Sequence, residues 1–206
     1  VLILLEILSQ PIVNLITGEK VMEERLSRPD CPIKDYFSTK DRSTLLRREI
    51  HAILQCIEER GTLPYTINIT PYTLPIFCRL PIYWTGGVEI VEWDKSILPN
   101  FKPMKVAIKV LQSRGLSVWA DDITPETVNM WLKAGVTGFK VELKELRNNE
   151  LFVKKLRTTQ KPVIVERIET KDDHEFVKSI GVTLAQGYYY GMPKRREDYI
   201  SWTMMN

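Results

Sequence analysis

Gly115-Leu116-Ser117-Val118-Trp119-Ala120-Asp121-Asp122 is an apolar, β-branched run that ends on two adjacent carboxylates. The run reads as a buried strand, and like charges side by side repel unless a cation lies between them. Asp121 and Asp122 at the strand's carboxyl end therefore point to a divalent ion. An isolated Asp-Asp fits a solvated turn and helix cap equally well, so the ends of the other strands must decide.

The chain's 206 residues, 44% of them apolar, fit one large domain over residues 1–206. Its 29 basic and 26 acidic residues give a formal charge of +3 and are mixed along the sequence. No basic run of the kind that tracks a nucleic-acid backbone occurs, so duplex nucleic acid is not an expected partner. The apolar start, Val1 to Leu8, is interrupted by Glu6 and falls short of the roughly 20 residues of a membrane span. No membrane contact is expected from this chain. Without an initiating Met or a basic leader, that start reads as the trimmed end of a longer protein. Cys31, Cys56 and Cys78 are odd in number and widely spaced, which predicts reduced thiols in a cytoplasmic protein. With only His51 and His174, a metal site must be built from oxygen donors, which favours Mg²⁺ or Mn²⁺ over Zn²⁺.

Working outward from the opening run, strands are predicted at Ile3–Val13, Val21–Leu26, Tyr65–Thr70, Val88–Glu92, Thr137–Leu143, Pro162–Glu166 and Thr183–Tyr190. The first two are joined by Asn14–Lys20, too short for a parallel crossover, so they pair antiparallel. Between the others lie predicted helices at Thr39–Arg60 and Lys105–Ser113, one capped by Thr124 with Pro125 at its first position, a separate charged one after Leu143 ending at Arg157, one from Thr170 to Ile180, and one from Arg195 to Met204. The stretch after Arg28 reads as polar, and Pro71–Gly87 as irregular or at most a short turn. This alternation predicts a (β/α)₈ TIM-like barrel of the α/β class, with its first strand reversed.

In such a barrel the active site lies at the carboxyl ends of the strands. Those ends carry Glu24, Asn68, Glu89, Asp121 with Asp122, Lys140, Glu166 with Glu169, and Gln186. A barrel interior is otherwise apolar, and one uncompensated buried charge costs several kcal/mol. Any one of these placements is easily structural; the whole set reads as a carboxylate metal site. Trp119 and Trp131 read as core, His174 as solvated, and Tyr188–Tyr190 as strand-end packing.

The same residues resemble the EAL-domain cyclic-di-GMP phosphodiesterases nearly end to end. Glu24-Arg25-Leu26-Ser27-Arg28 stands for Glu-Ala-Leu-x-Arg, Ile67-Asn68-Ile69-Thr70 for the asparagine motif, and Glu89-Ile90-Val91-Glu92 for Glu-x-x-Glu. Asp121-Asp122 match directly, and Lys140-Val141-Glu142 stands where Lys-Ile-Asp is usual. Glu166-Arg167-Ile168-Glu169-Thr170 and Gln186-Gly187-Tyr188 complete the series. The resemblance implies a two-metal site; an all-oxygen donor set suits Mg²⁺ or Mn²⁺, and Ca²⁺, with longer bonds and more ligands, is expected to be inhibitory. Glu24, Asn68, Glu89 and Asp121 would hold one ion, and Asp121, Asp122 and Glu166 the second. Lys140 would neutralise charge on the attacking water or the phosphoryl oxygens, with Glu169 orienting it and Gln186 hydrogen-bonded to the water. Arg28, beside Leu26, would pair with a phosphate of cyclic-di-GMP, and the product would be linear pGpG.

The chain also departs from this pattern. After Asp122 the family's glycine-rich loop, which helps order the metals and contributes to dimerisation, is replaced by Ile123-Thr124-Pro125-Glu126-Thr127. Glu92, which anchors that loop in the family, is left without its usual partner. The segments after Arg28 and Asn68 are short. Arg25 replaces alanine but should point away from Glu24, because neighbours on a strand face opposite sides. These departures keep a second reading open, a non-catalytic EAL-like regulator that binds cyclic-di-GMP or a protein partner. A homodimer is left open under both.

Overall fold

The structure, a computed structural model, describes residues 4–37, 39–59, 61–91 and 97–195, and for 97–100 the backbone alone. Eight strands close into one barrel in sequence order: β1 Glu6–Asn14, β2 Lys20–Arg28, β3 Tyr65–Ile69, β4 Gly86–Ile90, β5 Ser117–Ala120, β6 Gly138–Glu142, β7 Val163–Glu166 and β8 Leu184–Gln186. β1 runs antiparallel to both of its neighbours, β2 and β8, while every other pair is parallel. The reversal is local in origin. Asn14 Oδ1 accepts the N–H of Ile16, Asn14 N–H reaches the carbonyl of Glu19, and Gly18 takes the left-handed conformation at φ 75°.

The helices are α1 Ile33–Phe37, α2 Arg42–Glu58, α3 Leu74–Phe77, α4 Ile97–Ser113, α5 Val128–Ala134, α6 Leu143–Leu146, α7 Glu150–Thr158 and α8 Lys171–Ser179. Several differ from expectation. The stretch after Arg28 contains α1, because Ile33, Tyr36 and Phe37 recur at helical spacing and bury Tyr36 and Phe37. α2 starts three residues late, where the Asp41 carboxylate accepts the N–H groups of Ser43 and Thr44. α4 starts well before Lys105 and carries Pro103 within it. α5 opens at Val128 rather than Pro125: Thr127 Oγ1 accepts the Thr124 N–H, and Thr127 and Val128 return N–H groups to the Thr124 carbonyl, closing a turn first. The charged helix before β7 is two helices, α6 and α7, separated where Asn149 caps the second. The helix expected from Arg195 lies almost wholly outside the described residues, as does Ile3, while β1 begins at Glu6, after Leu4 and Leu5 of the expected strand.

Two strand boundaries moved for packing reasons. Gly86 and Gly87, read from sequence as a break, lie inside β4 opposite Tyr65 and Thr66. A Cβ on Gly87 would stand 2.1 Å from the Ser117 carbonyl oxygen, so only glycine lets β4 approach β5 there. β8 stops at Gln186 because Tyr190 and Gly191 turn back to the Gly187 carbonyl.

The core has two parts. Outside the barrel, strand residues such as Val88, Val118 and Val141 pack against Ile53, Ile108, Trp131 and Phe152 of the helices. Inside, Ile12, Trp119 and Ile164 form an apolar plug with Met22 and Leu184. Side chains on a strand alternate, so the next inward layer lies two residues later on each parallel strand and two earlier on β1. That layer is Gln10, Glu24, Asp121, Glu166 and Gln186: the barrel changes from apolar to polar in a single step.

A candidate metal centre in a carboxylate ring

Lys140 leaves the centre of β6 and points into the barrel, where it is 1% exposed. Its Nζ lies 2.6 Å from Glu89 Oε2, 2.8 Å from Glu166 Oε1, 3.1 Å from Glu24 Oε2 and 3.9 Å from Asp121 Oδ1. Four strands, β2, β4, β5 and β7, thus bring one carboxylate each to a single ammonium. Glu24 and Glu89 are enclosed; Asp121 and Glu166 keep an edge open to the mouth.

The neighbours divide the carboxylates by charge state. Burial raises Glu24, but the Lys140 ammonium and hydrogen bonds from Gln186 and Asn68 together hold it below the usual range. Burial and the Glu24 charge push Glu89 up to about 8, against the pull of Lys140. Burial pushes Glu166 up to about 7 and Asp121 well above its ordinary value, each opposed by Lys140 and supported by neighbouring carboxylates. Lys140 itself is raised: the four carboxylates overcome the cost of burial. One ammonium is too little positive charge for four carboxylates, so protons are retained there. A cation of higher charge would displace them.

The remaining polar residues are aimed at the same space. Asn68 Nδ2 donates to Glu24 Oε1 at 3.0 Å, and Gln186 Nε2 donates to Glu24 Oε2 at 2.7 Å and to Gln10 Oε1 at 3.1 Å. Thr66 Oγ1 donates to Glu89 Oε1 at 2.5 Å. Asn68 Oδ1, Asp121 Oδ1 and Gln186 Oε1 are buried acceptors with no hydrogen-bond partner. Orphaned acceptors of this kind are costly unless a cation or water meets them. Asp121, Asp122 and Glu166 each offer a carboxylate oxygen within 4.8 Å of the others, and among the described residues they are the trio close enough to share a metal ion. The donor set fits a hard divalent cation: every donor is an oxygen.

Above the ring opens a cavity of about 260 Å³, with Asp121, Asp122 and Glu166 at its base and Leu26, Arg28, Arg167, Glu169 and Tyr188 around it. Glu169 is exposed there; its backbone N–H is held by Asp173 in the capping box that opens α8, and it is not among the ion-pair partners of Lys140. Arg25 points out of the barrel as expected, stacked 3.5 Å above the Tyr65 ring and bonded to the carbonyls of Cys56 and Glu59. Tyr188 is 56% exposed beside the cavity rather than packed at a strand end. His174 is not free in solvent: its Nδ1 lies 2.9 Å from Tyr190 Oη, with the Tyr189 ring alongside. Glu92 lies outside the described residues.

Sequence reasoning passed over Thr66, Gln10 and Glu49. Alternation from Asn68 puts Thr66 on the inward face of β3, and alternation from Ile12 does the same for Gln10 on β1. Glu49 lies four residues from both Leu45 and Ile53 on the apolar side of α2, a spacing that could have marked it as buried.

No protein-family model and no curated protein matches this sequence. Solved structures do match. The FimX EAL domain from Pseudomonas aeruginosa, bound to c-di-GMP, superposes with a TM-score of 0.75 at 19% identity, over 95% of this chain and 93% of that one. An EAL domain protein from Listeria monocytogenes EGD-e gives 0.73 at 16% identity, over 98% and 93%. Klebsiella pneumoniae BlrP1, in a manganese and c-di-GMP complex, gives 0.74 at 16% identity, over 92% of this chain and 56% of that longer one. The barrel with its one reversed strand, matched over nearly the whole chain, is the EAL-domain fold.

Proposed function

We propose that this chain is a metal-dependent phosphodiesterase that hydrolyses cyclic-di-GMP to linear pGpG. The observation that carries the reading is the ring of Glu24, Glu89, Asp121 and Glu166 around one buried lysine, with no hydrogen bond to Asn68 Oδ1 or Asp121 Oδ1. A binding surface alone has no need of so many mutually repelling carboxylates. Glu24, Asn68, Glu89 and Asp121 would hold one Mg²⁺ or Mn²⁺ ion, and Asp121, Asp122 and Glu166 a second. Bound there, the ions would supply Lewis-acid stabilisation of charge on the phosphoryl oxygens and acidify the attacking water.

The chain's own residues supply the rest. Lys140 places a positive charge beside the reacting phosphate, in a site closed enough for that charge to act strongly. Gln186, with its Nε2 committed to Glu24 and Gln10, offers its Oε1 to orient the attacking water. Arg28 and Leu26 at the cavity edge receive a phosphate and the apolar edge of the dinucleotide. Glu169 lines the same cavity from its exposed rim.

Purified protein incubated with cyclic-di-GMP should release pGpG with Mn²⁺ or Mg²⁺ and not with Ca²⁺. Ca²⁺ takes longer bonds, about 2.3–2.6 Å against 2.0–2.1 Å for Mg²⁺, and more ligands, so it would fill the site while misplacing the water. Equal rates with Ca²⁺ and Mg²⁺ would contradict the mechanism. Tight binding without turnover under any ion would favour the non-catalytic regulator, to which the closed turn in place of a glycine-rich loop is the feature that points.

A further inference from the structure

Arg167 follows Glu166 out of β7 with φ 63°, a left-handed conformation that is strained for any residue with a Cβ and free for glycine. Its neighbour Ile168 is fully buried and fixed on both sides: its N–H donates to the Gln186 carbonyl at 3.2 Å, and its carbonyl accepts the Tyr189 N–H at 3.0 Å. The turn is therefore imposed by the end of β8 and by Tyr189 beyond it, and the chain keeps an arginine where glycine would be relaxed. The side chain is 71% exposed, and Arg167 lines the same cavity as Arg28, Asp122 and Glu166. Its contact is through Nε to Glu142 Oε1 at 3.1 Å, while Glu142 is also paired with Lys144. An exposed pair made through one nitrogen is weak, and Glu142 does not depend on it. The forked edge of the guanidinium is not engaged among the described residues.

We infer that Arg167 is a phosphate-binding specificity residue of this cavity, a second cationic contact placed three strands round the barrel from Arg28. The inference rests on the dinucleotide reading above. A cyclic dinucleotide carries two phosphodiesters. With one phosphate held at the carboxylate ring, the other needs a cation on a different part of the rim. A planar fork on an exposed side chain, released from a weak partner at little cost, suits that role better than a lysine. Strain kept at a site of this kind is consistent with a ligand contact.

The test uses Arg167→Gly, which removes the guanidinium and relieves the backbone, and Arg167→Lys, which keeps the charge and loses the fork. Cyclic-di-GMP affinity is measured by calorimetry with Ca²⁺ present, at low and high salt, alongside thermal melting. Arg167→Gly should weaken binding about tenfold, reduce its salt dependence and melt no lower than the wild type. Arg167→Lys should fall between. Wild-type affinity in Arg167→Gly, with the wild-type protein binding normally, overturns the inference alone. A lower melting temperature with an unchanged salt dependence also overturns it, because Arg167 would then be structural. A wild-type protein that binds no cyclic-di-GMP under any ion overturns the dinucleotide reading and this inference with it.

Discussion

Lys140→Ala should lower pGpG formation by roughly 10² to 10⁴ at saturating substrate, the range for loss of a group acting on charge or proton movement in the transition state. It should also destabilise the metal-free protein by about 3–5 kcal/mol, the scale for removing one partner from a buried ion pair. Both effects have one origin. Nζ is the only cation within ion-pair distance of Glu24, Glu89, Asp121 and Glu166 among the described residues, and three of the four contacts are 3.1 Å or shorter. Without it the carboxylates face each other across a desolvated space. A divalent ion brings the missing charge, so Mn²⁺ should restore much of the variant's stability and little of its turnover. Melting curves with EDTA and with Mn²⁺, beside turnover under the same conditions, make the comparison. If the variant turns over at the wild-type rate, Lys140 serves packing alone. If Mn²⁺ leaves its stability unchanged, the carboxylates around Lys140 are not the metal site.

Glu49→Gln should make the protein more stable at pH 8, by about 3 kcal/mol, and leave it nearly unchanged below pH 4. Glu49 is buried on α2 and accepts a hydrogen bond from Thr70 Oγ1 at 2.8 Å. Burial pushes its carboxyl up to about 7, with the Thr73 and Thr70 side chains opposing. In the unfolded chain the group would ionise near 4.3. Between those values the folded state holds a proton that the unfolded state does not. The contribution is therefore complete below about pH 4, and it is lost as pH rises through about 7. Glutamine keeps an acceptor for Thr70 and carries no charge, so the variant loses that part of the slope. Urea unfolding of both proteins in EDTA, from pH 4 to pH 8, isolates Glu49 from the ring carboxylates, which titrate in both. Parallel stability curves would mean that Glu49 reaches solvent and ionises freely.

The same region links the two predictions to the fold. Thr70, which holds Glu49, ends the segment that carries Thr66 and Asn68, and both of those bond to ring carboxylates. An ionised Glu49 would thus be felt at Thr70, two residues from Asn68, the candidate metal donor.

What the sequence determined by itself was the set of strands, the antiparallel direction of the first pair and the inward face of each strand. The reason is local: alternation with period two assigns faces without knowledge of neighbours, and the seven-residue connection Asn14–Lys20 admits only an antiparallel partner. From those rules alone Glu24, Asn68, Glu89, Asp121, Lys140, Glu166 and Gln186 could be gathered at one end of a barrel. Only the tertiary structure decided which of them touch. Lys140 meets Glu24 across 116 positions of sequence and Glu89 across 51, and closure of the barrel with its register fixes both contacts. It also decided the features that depend on a neighbour's backbone: the start of α5 after the Thr124 turn, glycines inside β4 where β3 and β5 press close, and the left-handed Arg167 held by β8. Helical spacing could place Glu49 on the apolar side of α2 but not name its partner. Whether that position faces water or Thr70 is set by how α2 packs on β3.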